Sequence, residues 1–153
     1  MNELYLLKGC ELHVHVVGAF YADDALALGR AVYRDADWHA NRFLETYQAL
    51  FGVHPDPIGV FDDAVRNGAA SFEPLKRLHT YTETDGSDFS CFQAKFNFFI
   101  CLWNHYRHQG PRAEELMLRR MIERYRSQGL DYIEYRYGLN IEPDSLSFHQ
   151  RCA

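Results

Sequence analysis

The sequence predicts a helix-rich α/β chain with two parallel strands, and three observations carry that prediction. Leu12 to Val17 alternates apolar residues with two histidines, the period of a short strand. Tyr132 to Tyr137 alternates again, with Ile133, Tyr135 and Tyr137 on one face and Tyr132, Glu134 and Arg136 on the other. Between these segments helical spacing dominates. A strand, a helical crossover and a second strand make a parallel pair. Two parallel strands leave both sheet edges open, so the 153-residue sequence is expected to continue into further strands. The final "SFHQRCA" reads as the first turn of another helix.

The helical elements follow from spacing and caps. Asp23 and Asp24 open a helix that carries Leu26, Ala27, Arg30 and Ala31, because acids favour a helix N-terminus. Phe43, Leu44, Tyr47, Leu50 and Phe51 recur at helical spacing, and Gly52 suits the cap. "VHPDPIG" breaks the chain with two prolines, and a weaker helix is placed at Phe61 to Arg66. "NGAAS" reads as a turn, "FEPLKRLHTY" as a short helix and "TETDGSD" as a loop. Phe89, Phe92, Phe96 and Phe99 share one face of the next helix. Gly110 and Pro111 end it and start another, in which Leu118, Met121, Ile122 and Tyr125 form the apolar stripe and Gly129 the C′ residue.

Composition narrows the function. The formal net charge of −5 gives no electrostatic footprint for a nucleic acid duplex or an anionic membrane. No window approaches a membrane span, and "MNELYLLKGCEL" is not a secretory signal. Cys10, Cys91, Cys101 and Cys152 match no metal knuckle or disulfide scaffold, so they read as reduced thiols of a cytoplasmic protein.

The segment "KGCELHVHVVGAF" places His13 and His15 one residue apart. On a strand, residues i and i+2 share a face, so the two imidazoles project together and both can reach one divalent ion at about 2.1 Å. Leu12, Val14 and Val16 are expected to anchor the opposite face. His39, His54, His79, His105, His108 and His149 are scattered and read as surface histidines.

Three segments resemble, in order, motifs of the adenosine deaminase family within the amidohydrolase superfamily. "KGCELHVHVVGA" is similar to the family's K-x-E-L-H-x-H-x-x-G first strand, "FQAKFNFF" to its F-L-x-K-F helix, and "GLDYIEYRYG" to its second-strand G-V-x-Y-x-E-x-R motif. The resemblance implies that residues 1–153 are the N-terminal part of one (β/α)8 TIM barrel, with 31–90 a divergent helical insert. It implies hydrolytic deamination of adenosine or a related purine nucleoside or nucleotide. His13 and His15 become ligands of Zn2+ or another divalent metal, and Val17, Gly18, Phe92 and Phe96 line the substrate site.

The family's remaining ligands and its general acid/base Glu have no counterpart here, so no catalytic residue is assigned within the chain. The chain alone is expected to be inactive, the rest of the barrel coming from the same longer polypeptide. Position 17 departs from the acidic residue that bonds ribose in adenosine-specific members. Valine accepts no hydrogen bond, and an unmet buried hydroxyl costs about 1–3 kcal/mol. Either the ribose is held otherwise, or the substrate differs there, for example by a 5′-phosphate, or Val17 is simply a packed barrel residue. Glu134 and Arg136, on one face, suit an ion pair inside the barrel. Other hydrolases of the superfamily, and a non-catalytic binding or assembly module, are the alternatives.

Overall fold

The computed structural model describes residues 9–109 and 111–136. Strand β1 (Cys10–His15) leads through a 3-10 turn (Val16–Ala19) into helix α1 (Ala22–Val32). Helices α2 (Phe43–Phe51), α3 (Pro57–Asn67) and α4 (Phe72–His79) follow, then the long α5 (Phe89–Tyr106), α6 (Pro111–Ser127) and strand β2 (Tyr132–Arg136). The two strands pair in parallel, as the strand–helix–strand order requires. The chain is thus helix-rich with one parallel strand pair among the described residues, compatible with the α/β class. Tyr137, Gly110, His149 and Cys152 lie outside those residues.

The pairing is irregular at one point. Glu11 pairs with Ile133 and Val14 with Tyr135, so Leu12 and His13 together oppose Glu134. This bulge corrects the expectation for Leu12. An extra residue breaks the strict alternation of faces, and Leu12 is 57% exposed, while Val14 and Val16 pack against the core. The strand also ends two residues before Val17, because Val16 to Ala19 coil into the 3-10 turn.

Helix α5 organises the helical layer, packing against α1, α2 and α4. Its Phe98 and Phe99 are fully buried. Phe98 stacks on Trp38 at 5.4 Å and on Phe61 at 5.9 Å, and Phe99 lies 5.1 Å from Phe20. The predicted four-Phe face does not form the core. The inward face runs through Cys91, Ala94, Phe98 and Leu102, while Phe89 and Phe92 point outward. A helix turns 100° per residue, so the span from Phe89 to Phe99 drifts off any single inward stripe.

Other elements show similar shifts of phase. In α1 the buried positions are Ala22, Asp24, Ala25, Leu28, Gly29 and Val32; Ala27, Arg30 and Ala31 face outward. Leu50 of α2 and Ile122 of α6 are exposed, and Met117 joins Met121 as the buried pair of α6. Helix α3 starts four residues earlier than predicted. Pro57 takes a first-turn position that needs no amide donor, and the Asp56 carboxylate accepts from Gly59 N at 2.9 Å. Gly52 and Gly129 adopt the left-handed backbone their cap positions demand. Gly29 has a different reason: a methyl group there would meet the Phe61 ring at 2.1 Å, so α1 and α3 approach this closely only through glycine.

Two buried charges tie the elements together. Lys95 of α5 lies 2.7 Å from Asp85 and donates to Thr80 O at 2.9 Å, which holds the 80–86 loop on the helix. Asp24 of α1 is fully buried. It is ion-paired with Arg124 at 2.5 Å and accepts from Arg120 Nε at 3.1 Å and from Tyr21 N at 2.9 Å. Arg124 also donates to Ala19 O at 3.2 Å and stacks on the Tyr21 ring. Removing one partner of a buried pair leaves the other uncompensated. Asp24→Ala is therefore expected to lower stability by about 3–5 kcal/mol, read as the shift of the urea midpoint; a change within experimental error would show that the pair is not needed.

Candidate functional site

Both histidines emerge on the same side of β1 at its C-terminal end, as their spacing requires. Their Nε2 atoms are 3.2 Å apart and their ring centroids 5.1 Å apart. Both side chains are exposed. Without a metal, one Nε2–H donates to the other ring. The same geometry also suits chelation. Two nitrogens 3.2 Å apart, each about 2.1 Å from an ion, subtend about 100°. That is close to the tetrahedral angle, so the pair fits as two legs of a zinc-like site. Among the described residues no group of three or more His, Cys, Asp or Glu side chains is placed to hold a metal. Glu134 bonds instead to Tyr132 Oη at 3.0 Å, and no ion pair with Arg136 forms among the described residues.

The histidines open onto a groove of about 770 Å³ between β1 and α5. His13, His15, Val17, Gly18, Phe92 and Phe96 all line it, so the six residues singled out from the sequence converge on one space. Phe92 and Phe96 stack at 5.8 Å. Phe92 is 41% exposed, which removes it from the core and leaves its ring facing the groove. Trp103, Asn104 and Arg107 also line it; Arg107 keeps a buried Nε without a partner.

Several residues of this region were not apparent from sequence. The sequence places Asp24 only as a helix-start acid, and in the fold it is buried. Arg124 and Arg120 show no pairing signal with it, because they sit about a hundred residues away in the chain. His79 is the clearest correction. It is not a surface histidine: its ring packs edge-on against Phe99 at 4.3 Å, Nε2 lies 3.2 Å from Phe20 O, and Nδ1 is buried without a partner. Burial lowers its pKa from 6.5 to about 4, so the ring is neutral at neutral pH and donates from Nε2. Cys101, pushed up to about 12 by burial, is an inert core thiol; Cys91 is also buried, and Cys10 is exposed.

Comparison with protein-family models, with curated proteins and with solved structures returns no match. No helix among the described residues is long and apolar enough to cross a membrane.

His79 makes a pH prediction. Its folded pKa lies below its unfolded value, so the unfolded chain binds the extra proton between about pH 6.5 and 4. Stability is expected to be complete above about pH 6.5 and to fall as pH drops towards 4, by a contribution on the order of 3 kcal/mol. His79→Gln should flatten that part of the stability curve; an unchanged slope in urea melts across this range would exclude the effect.

Proposed function

We propose that this chain forms the first part of an adenosine deaminase-like, metal-dependent hydrolase of the cytoplasm. In this reading it is the opening segment of a (β/α)8 barrel completed by the same longer polypeptide. The reaction is hydrolytic removal of the amino group of adenosine or a related adenine nucleoside or nucleotide. The observation that carries the reading is the 3.2 Å separation of His13 and His15 Nε2 at the end of a parallel strand, opening onto an aromatic groove. Barrel enzymes work at the C-terminal ends of their strands. The parallel β1–β2 pair and the three motifs in order support the same reading.

Within it, each residue has a limited task. His13 and His15 hold a zinc-like ion, which when bound supplies acidity to a coordinated water. Their shared strand fixes the direction of approach. Phe92 and Phe96 present aromatic faces for the purine and shield the groove from bulk water. Val17 and Gly18 form a small, uncharged stretch of wall beside the ligands. Proton transfer to and from the ring needs a positioned acid or base. That group, with the remaining ligands, is assigned to the rest of the barrel.

Two measurements test this. Titration of the chain with Co2+ should perturb the His13 and His15 ring resonances together. Affinity should be weak, and His13→Ala or His15→Ala should lower it more than about tenfold. In the longer polypeptide either substitution should remove most metal-dependent deamination. Independent titration of the two rings, or full activity without both, would refute the proposal.

A further inference from the structure

Helix α6 turns Ala113, Met117 and Met121 into the core. A second face of the helix lies at the surface, where Ile122 is 38% exposed and Leu118 is half-buried. Among the described residues this face shares no lining residue with the groove of His13 and His15.

The charges beside Leu118 and Ile122 are ordered. Glu115, Arg119, Glu123 and Arg126 follow one another along one edge of the face, at spacings of four, four and three residues. The row therefore alternates acid, base, acid, base. Glu115 and Arg119 pair along the helix at 2.7 Å with both side chains well exposed, a contact that is weakly held and easily shared. Glu123 and Arg126 have no ion pair among the described residues. An alternating row of even length is complementary to itself when reversed. In an antiparallel pair of α6 helices, Glu115 faces Arg126 of the second copy and Arg119 faces its Glu123, and both contacts recur by symmetry. The same reversal sets Leu118 against Ile122 of the second copy. A parallel pairing would instead set like charges opposite one another.

We propose that this face of α6 docks a second copy of the chain as an antiparallel, two-fold symmetric helix pair. Leu118 and Ile122 form the apolar seam, and the charged row fixes the direction. The inference does not depend on the deaminase reading. A single pair of 17-residue helices is a small interface, so the dimer is weak and concentration-dependent.

Analytical ultracentrifugation of the full chain across roughly 5–500 μM is expected to show the mass rising from 17.9 kDa towards twice that value. Ile122→Glu should raise the dissociation constant more than about tenfold. Arg126→Glu and Glu115→Arg should each weaken the dimer as well, because like charges then face each other. An equimolar mixture of the Arg126→Glu and Glu115→Arg chains should dimerise again, since each supplies the charge the other lacks. Circular dichroism of every variant checks that the helices stay folded. A chain that is monomeric throughout the range overturns the proposal, as does a dimer indifferent to Ile122→Glu. A dimer that Ile122→Glu disrupts but that ignores both charge reversals, or that mixing does not restore, overturns the antiparallel pairing.

Discussion

The carboxylate of Asp24 is the constraint on which the arrangement depends. It is fully buried at the start of α1, and a charge in that position is tolerable only if its lone pairs are filled by fixed donors. Two of its partners, Arg120 as a donor and Arg124 as an ion pair, come from α6, the helix that precedes β2. The other is the Tyr21 amide, at the foot of the turn that follows β1. One buried group therefore links the exit of the first strand to the helix that delivers the second. The link extends through Arg124 to Ala19 O, the last residue of the 3-10 turn carrying Val17 and Gly18. The wall beside the histidines is positioned by this electrostatic clamp rather than by sheet hydrogen bonds alone.

On the opposite flank the same task falls to His79 and Lys95. His79 meets Phe20 O just past the turn, and its ring lies against Phe99 of α5. Lys95 anchors the 80–86 loop through Asp85 and Thr80. Burial opposes the charged form of Asp85, but hydrogen bonds from Lys95 and Thr82 outweigh it and hold its pKa below the usual range. The groove thus sits between two polar anchors. Part of its lining, Val16 and Trp103, also belongs to the buried core, while Phe92 does not.

Local patterning made much of this visible in the sequence, and the failures share one cause. The HxH pair, the two alternating segments, Gly52 and Gly129 follow from periods and caps that operate over a few residues. The histidine pair follows from its spacing on a strand, whereas Val17, Gly18, Phe92 and Phe96 were assigned to the site only as the family resemblance implies. Partners distant in sequence were not readable. Nothing in "YADDALAL" distinguishes Asp24 from Asp23, yet one is buried and the other 57% exposed at its side chain. The bulge at Leu12 and His13 depends on the register with β2, and the buried state of His79 depends on where α4 lands against α5. Helix phase failed where apolar residues covered more than one face, as in α5, since excess aromatic residues leave the inward stripe undetermined.

The outward turn of Phe92 has an evolutionary consequence. Within the groove lining the histidines belong to β1 and the Phe92 and Phe96 rings to α5, two separate elements. The side of α5 that faces the groove differs from the side that fills the core around Phe98, Phe99 and Leu102. Trp103 belongs to both sides, whereas Phe92 can be exchanged without disturbing the interior packing or the histidine pair. The surface of the groove can thus drift by substitution at Phe92 while the fold and the histidine pair stay under independent selection.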